Sequence, residues 1–265
     1  MTNNLIYVYC LADRMPDLSG ITEFTGLHPI ESGGVFAIMK EVYESEFAEE
    51  NFKKNLSDFQ WLETNARHHV EVINKISEQH TTIPFKFGTI FKTEDSLKKF
   101  ITDYSDSLAD NFKNIEGKEE WSVKIYSDRN ALSEQIDELS VEAAELEKQI
   151  MASSPGKAYL LRRKKTDLIE QEINRICKTY GQQYYDECSK HSESTNLNNL
   201  LPKEFTGRED TMILNATFLV KKNLVADFNN TVETLSERDG NYGFFIESTG
   251  PWPPFSFIVI KEKQK

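Results

Sequence analysis

Cysteine is scarce in this chain of 265 residues: Cys10, Cys177 and Cys188 are odd in number, widely spaced and never arranged as C-x-x-C. That argues against a disulfide framework or a cysteine zinc site, and predicts reduced, buried or half-buried thiols in a cytoplasmic protein. No apolar window approaches the roughly 18–20 residues a spanning helix needs. The opening Met-Thr-Asn-Asn-Leu-Ile-Tyr-Val-Tyr-Cys lacks a basic n-region, so no signal peptide is expected. Basic charge is also short, with 31 Lys and Arg against 43 Asp and Glu, a net −12. A polyanion such as nucleic acid is therefore a poor partner, because phosphate binding needs a concentrated basic surface. The deficit is steepest in residues 1–50, where nine acids meet only Arg14 and Lys40.

Chemistry-bearing patterns are missing too. Gly33-Gly34 reads as a turn, since neither G-x-G-x-x-G nor G-x-x-x-x-G-K follows. Ser153-Ser154-Pro155-Gly156-Lys157 resembles a phosphate loop only at Gly-Lys, and no strand precedes it. His68 and His69, near Glu63 and Glu71, form the densest metal-like group. Adjacent helical residues project about 100° apart, so both cannot easily share one ion, and a solvated or capping role is expected. There is no G-x-S-x-G and no local cysteine or histidine nucleophile signature. Nothing here asks for catalysis, a metal or a cofactor.

What is present is an alternation of strand and helix signals. Leu5–Leu11 and Val35–Lys40 read as strands, with a loop over residues 12–33 between them. Asn55–His80 reads as a helix with a stripe of Phe59, Leu62, Ala66, Val70, Ile73 and Ile76. Pro84 then forbids continuation, and Ile83–Phe91 reads as one strand with Phe85, Phe87 and Phe91 on one face and Gly88 at a bulge or close backbone approach. Thr93–Glu116 is the second helix, opened by Thr93 and Ser96 and closed by Gly117. Residues 119–126 alternate with Trp121, Val123 and Ile125 inward, and the crossover spacing predicts a sheet shared with the earlier strands, one layer of helix on one of strand.

From Leu132 the apolar positions 132, 136, 139, 143, 146 and 150 make a coiled-coil-like seam. Pro155 breaks it and a second arm follows over Lys157–Ser189, so the pair predicts an antiparallel helical hairpin. Lys157, Arg162, Arg163, Lys164 and Lys165 open that arm without an acid, and folding back brings them toward Glu145 and Glu147 as a pairing face. Residues 190–210 read as a polar, turn-rich connection. Thr211–Lys221 is a strand with Leu214, Ala216, Phe218 and Val220 on one side; Leu224–Arg238 is a helix carrying Val225, Phe228, Val232 and Leu235; Tyr242–Glu247 is a further strand.

The chain closes on Gly250-Pro251-Trp252-Pro253-Pro254-Phe255-Ser256-Phe257. Three prolines in four positions exclude helix and central sheet, while Trp252 and Phe255 add apolar area to a stiff backbone. Such a segment is a locked tail or a presented ligand. The alternation of Phe255, Phe257 and Val259 after strand 242–247 favours a lock across its own domain, with Trp252→Ala lowering stability before it lowers binding.

Four stretches taken together resemble the gas vesicle protein F/L family: Leu5–Cys10; Ile83–Phe91 with Glu120–Tyr126; Gly156–Leu161; and Met212–Val220 with Gly250–Phe257. The pairing of Pro-Phe-x-Phe-Gly-Thr-x-Phe with the proline-aromatic tail is the most specific part. Lys86 and Lys157 stand where Arg is commoner, and Phe255 where Tyr is common. The resemblance implies an α+β protein of two modified ferredoxin-like domains, with a helical hairpin on the second and a tail folding back. Expected boundaries are residues 1–127 for the first domain, 128–192 for the hairpin and 193–265 for the C-terminal module with its tail at 250–265. It implies a non-enzymatic accessory protein of gas vesicle formation that binds the hydrophobic shell subunit (gas vesicle protein A) and other accessory proteins, located in the cytoplasm and at the vesicle, where it is a candidate minor component. No nucleic acid, membrane, metal or cofactor is implied. The motif positions Pro84, Phe85, Phe87, Gly88, Phe91, Trp121, Tyr159, Leu160, Asn215, Gly250, Pro251, Trp252, Pro253, Pro254 and Phe255 are then structural or partner-binding. The competing class is a ferredoxin-like metabolite-binding or catalytic protein with a pocket near His68, Lys86 and Trp121.

Overall fold

The computed structural model describes residues 4–19, 21 and 25–261, so part of the expected 12–33 loop and the last four residues lie outside it. The chain divides into two compact units: residues 1–120 together with Pro251–Lys265, and Trp121–Gly250. The expected boundary at 127/128 is displaced to Glu120/Trp121, and the tail groups with unit 1.

Unit 1 is built on an antiparallel sheet of β1 (Asn4–Ala12), β2 (His28–Ser32), β3 (Val35–Tyr43), β4 (Thr82–Pro84) and β5 (Ile90–Phe91), in the order β2-β3-β1-β4 with β5 also on β1. Gly33 and Gly34, both at positive φ, close the β2–β3 hairpin with Ser32 opposite Val35. That is a type I′ geometry, whose twist suits antiparallel strands. β2 lay hidden in the expected loop because it carries Pro29, which an edge strand tolerates.

β1 is buried from Ile6 to Ala12, and helices cover both faces of its sheet, a correction to the single helical layer expected. Ile6, Val8 and Leu11 pack with α4 (Glu94–Asp103) and α5 (Ser105–Ile115) through Leu97, Ile101, Leu108 and Ile115. Tyr7, Tyr9, Cys10 and Ala12 pack with α1 (Glu44–Phe47), α2 (Glu49–Asn55) and α3 (Phe59–Ser77). The alternation changes phase because the pairing with β3 skips Tyr9, a bulge that turns two successive residues, Tyr9 and Cys10, toward α3.

Asp58 accepts from the Gln60 and Trp61 N–H groups and starts α3 at Phe59 rather than near Asn55. The buried face of α3 is His69, Val72, Ile73 and Ile76; Phe59, expected on the stripe, is exposed. The helix expected over 93–116 opens with the reciprocal Thr93–Ser96 capping box, is interrupted at Tyr104, and ends at Gly117 with φ 67°.

Unit 2 carries β6 (Lys118–Ser127), α6 (Arg129–Glu134), α7 (Ile136–Leu139), α8 (Val141–Met151), α9 (Pro155–Ser189), β7 (Ser194–Leu197), α10 (Lys203–Thr206), β8 (Thr211–Lys221), α11 (Val225–Asp239) and β9 (Phe244–Trp252). The sheet order is β7-β8-β6-β9. β6 thus pairs with the later strands and not with those of unit 1, against the sequence-based expectation. The inward sets held: Trp121, Val123 and Ile125 meet Leu214, Ala216, Phe218 and Val220 under α11 (Val225, Phe228, Val232, Leu235) and the C-terminal half of α9.

The seam at 132–150 folds as three short helices, not one. Ser140 supplies the break: its Oγ accepts from the Ala143 N–H and donates to the buried Glu172 carboxylate at 2.6 Å. Arg175 completes that site, and its guanidinium is the main reason the Glu172 carboxyl is held below the usual range. α8 and α9 then form the antiparallel hairpin, and Lys165 reaches Glu147 at 2.8 Å and Asp137 at 2.7 Å. Glu145, the other expected partner of the basic run, stays exposed.

Candidate functional site

The Ile83–Phe91 segment follows β1 but is not one strand. The Phe85 N–H donates to Tyr9 O and the Val8 N–H to Thr89 O, while residues 86–89 turn out between β4 and β5. The turn changes the side-chain phase. Phe85 and Phe91 join the α4–α5 side, whereas Phe87 joins Phe47, Phe52 and Trp61 on the α3 side, so the three do not share a face. Gly88 has φ 80°, and a Cβ there would stand 2.4 Å from the Phe52 ring. This is the close approach read at that glycine.

Behind the turn lies a buried polar relay. The Tyr7 hydroxyl is 2.8 Å from His69 Nδ1, and His69 Nε2 is 2.9 Å from Phe85 O. Burial is the principal cause of the imidazole's fall to about 4, so the ring is neutral at pH 7. A neutral ring facing a carbonyl carries its proton on Nε2; Nδ1 therefore accepts from Tyr7, whose oxygen in turn accepts from the Gly88 N–H at 3.3 Å. Every polar atom of the relay is matched inside the unit. His69 is thus a core group and not the solvated or capping residue expected. His68 lines a shallow cleft with Glu63, Thr64, Arg67 and Glu71, which includes neither Lys86 nor Trp121. Trp121 packs on Phe228 in unit 2. Among the described residues no group of three or more His, Cys, Asp or Glu could hold a metal ion, and all three cysteines are free and buried.

The tail is clasped by unit 1, which corrects the expected lock on the C-terminal module. Gly250, Pro251 and Trp252 still belong to β9, at the sheet's edge, where proline is tolerated. Beyond it Glu120 accepts from the Ser256 N–H at 2.8 Å and from the Ser256 hydroxyl at 2.7 Å. Asn111 brackets Val259: its Nδ2 donates to Val259 O and its Oδ1 accepts from the Val259 N–H, both at 2.9 Å. Pro253, Pro254 and Phe257 are buried, Phe255 joins the α3-side core and Ile258 the α4–α5 side. Trp252 remains 40% exposed.

Among the described residues, two apolar surfaces of unit 2 have no such cover. On α9 the Gly156–Leu161 motif buries Ala158 but leaves Tyr159 and Leu160 in water, beside an exposed Met151. Next to edge strand β7, Leu197, Leu200, Leu201 and Phe205 are exposed within nine residues, Phe205 at 80%. The backbone there is firmly held: the Asn198 N–H donates to Asn215 O, and the buried Asn215 donates Nδ2 to Asn199 O at 2.8 Å. The motif residue Asn215 therefore presents this loop. Sequence reasoning read 190–210 as merely polar; four large apolar side chains in a turn-rich segment were the available signal.

A family model described as "Gas vesicle synthesis protein GvpL/GvpF" matches residues 5–259. The chain is 26% identical to gas vesicle protein L of Streptomyces sp. (strain CB03234) over 99% of its length and 96% of that relative. It is 25% identical to gas vesicle protein L1 of Halobacterium salinarum, over 95% of this chain and 89% of that one. The crystal structure of GvpF from Anabaena sp. PCC7120 superposes with a TM-score of 0.69 at 18% identity, covering 98% of this chain and 100% of that one. GvpF from Microcystis aeruginosa superposes at 0.65 and 18% identity, over 96% and 99%. At that identity the two structures speak for the fold: mixed α/β with two antiparallel sheets.

Proposed function

The chain belongs to the GvpL/GvpF family of gas vesicle synthesis proteins and so has a role in gas vesicle formation; we propose that it fills that role without catalysis, as an assembly protein that binds the hydrophobic shell subunit and other accessory proteins. The carrying observation is the exposed apolar loop beside edge strand β7. A four-residue edge strand leaves a row of backbone donors and acceptors open, and Leu197, Leu200, Leu201 and Phe205 supply apolar contacts next to it. That combination fits an extended apolar segment adding to the sheet. A shell subunit with one apolar surface aggregates when free in water, and transient cover of this kind keeps it available for assembly.

The family's two-domain pattern is part of the same proposal. In unit 2 the succession β6, α6–α9, β7, β8, α11, β9 in the order β7-β8-β6-β9 supports a ferredoxin-like reading. Unit 1 is the modified one, with the β2–β3 hairpin placed ahead of α3. Action on gas vesicle proteins in the cytoplasm agrees with the −12 charge, and among the described residues no helix is long and apolar enough to cross a membrane.

The test is co-expression with the shell subunit and affinity capture on this chain. Wild-type protein is expected to retain the subunit, and the Leu200→Glu/Phe205→Glu double variant to lose it. Failure of the wild type to retain the subunit under assembly conditions overturns the proposal.

A further inference from the structure

The α8–α9 hairpin is electrically divided along its length. Its first part beyond the sheet leans on a small core of its own, in which Ala158, Leu161 and Leu168 meet Leu146 and Ile150. Only from Ile169 onward does α9 join the main core of unit 2. Residues 155–168 thus form an arm about 20 Å long at about 1.5 Å per residue. Residues 148–166 hold six bases and no acid. Lys165 is neutralised by Asp137 and Glu147. Lys157, Arg162, Arg163 and Lys164 are exposed and make no ion pair among the described residues. Met151, Tyr159 and Leu160 share this tip, each more than half exposed.

The stem is the complement. Glu134, Glu138, Glu142 and Glu145 lie along α6–α8, with Val141 exposed among them. Of these four acids, among the described residues only Glu142 has a cation within 4 Å, Arg175 at 3.9 Å. One arm therefore bears a basic, apolar tip and an acidic, apolar stem, and beyond the pairs of Lys165 with Asp137 and Glu147 the exposed charges of the two are not paired with each other among the described residues.

We propose that two copies of this chain pair through their hairpins, antiparallel, with the tip of each arm on the stem of the other. A two-fold axis makes this contact twice and closes it, so it yields a dimer and not a filament. Lys157, Arg162, Arg163 and Lys164 of one copy face Glu138, Glu142 and Glu145 of its partner, while Tyr159, Leu160 and Met151 cover Val141. A second copy is the occupant that the charges select. A membrane or nucleic-acid surface would meet the acidic stem beside the tip and a chain of net −12. The pairing uses neither β7 nor its loop, so it stands apart from binding of the shell subunit.

The experiment is sedimentation velocity on the full chain between about 1 and about 100 µM. The wild type is expected to shift from monomer toward dimer as concentration rises. Two charge reversals are compared with it: a tip variant (Arg162→Glu/Arg163→Glu/Lys164→Glu) and a stem variant (Glu138→Lys/Glu142→Lys/Glu145→Lys). Each alone is expected to remain monomeric. Mixed in equal amounts, they restore complementary contacts at both ends and are expected to dimerise again, which also shows that both are folded. A wild type that stays monomeric throughout, variants that dimerise as the wild type does, or a mixture that stays monomeric beside a dimeric wild type each overturns the proposal.

Discussion

The turn at Phe85–Thr89 and the loop at Leu197–Phe205 are both rich in large apolar side chains, yet water meets them in opposite ways. In unit 1, Phe85, Phe87 and Phe91 are divided between two cores, and the backbone they ride on is tied to Tyr7, Tyr9 and His69. In unit 2, Asn215 ties the start of the loop at Asn198 and Asn199, but the side chains of Leu197, Leu200 and Phe205 are exposed to solvent. Order is common to both; cover is not. An ordered backbone that holds apolar groups in water is arranged for something other than its own stability, whereas a relay whose polar atoms are all matched internally has spent its chemistry on folding.

The comparison breaks first, and hardest, at Gly88. Gly88→Ala places a Cβ against the Phe52 ring at positive φ, and is expected to lower unfolding free energy by about 3 kcal/mol in denaturant melts. Retention of the shell subunit by the fraction that stays folded should not change.

The His69 relay sharpens the same side through pH. The folded imidazole titrates near 4, below its ordinary 6.5. Between those values the unfolded chain binds more protons than the native one, so stability falls as pH drops from about 6.5 toward 4, by up to about 3 kcal/mol. Melts at pH 7 and pH 5 are expected to show this slope in the wild type and to lack it in His69→Gln. A slope of equal size in the variant would assign the effect to other groups.

Smaller effects belong to the tail. Asn111→Ala removes both bonds that bracket Val259 and should cost about 2 kcal/mol, with faster proteolysis at the C terminus. Trp252→Ala should cost only about 1 kcal/mol, because that ring is already 40% exposed. Retention of the shell subunit unchanged in both variants would keep the tail on the structural side of the comparison.

Much of this was legible in the chain itself. The inward sets of β6 and β8 followed from simple alternation, because each strand puts one helix-covered face against the core. The hairpin, the Thr93 cap and the constraint at Gly88 rest on local chemistry and so could be read locally. What was not legible depended on long-range choices. Nothing near Trp121 says that β6 joins β8 and β9 and not β1, and nothing near Ser256 names Glu120 as its acceptor. The phase of Phe87 was lost because a turn at Gly88 resets the alternation. His69 was misjudged because its partners, Tyr7 and Phe85, are remote in sequence. The exposed loop proposed to meet the partner was hardest of all: Leu200 and Phe205 have the composition of core residues, and only burial separates them from core.

On the proposed function, exposure in unit 2, and not the aromatic turn of unit 1, carries the binding of the shell subunit. The most direct test measures melting and capture of the shell subunit together for Phe205→Glu and Gly88→Ala. Phe205→Glu is expected to change stability by less than about 0.5 kcal/mol and to abolish capture, while Gly88→Ala is expected to lower stability and to leave capture by the folded protein intact. Capture that survives Phe205→Glu and is lost from folded Gly88→Ala would contradict it.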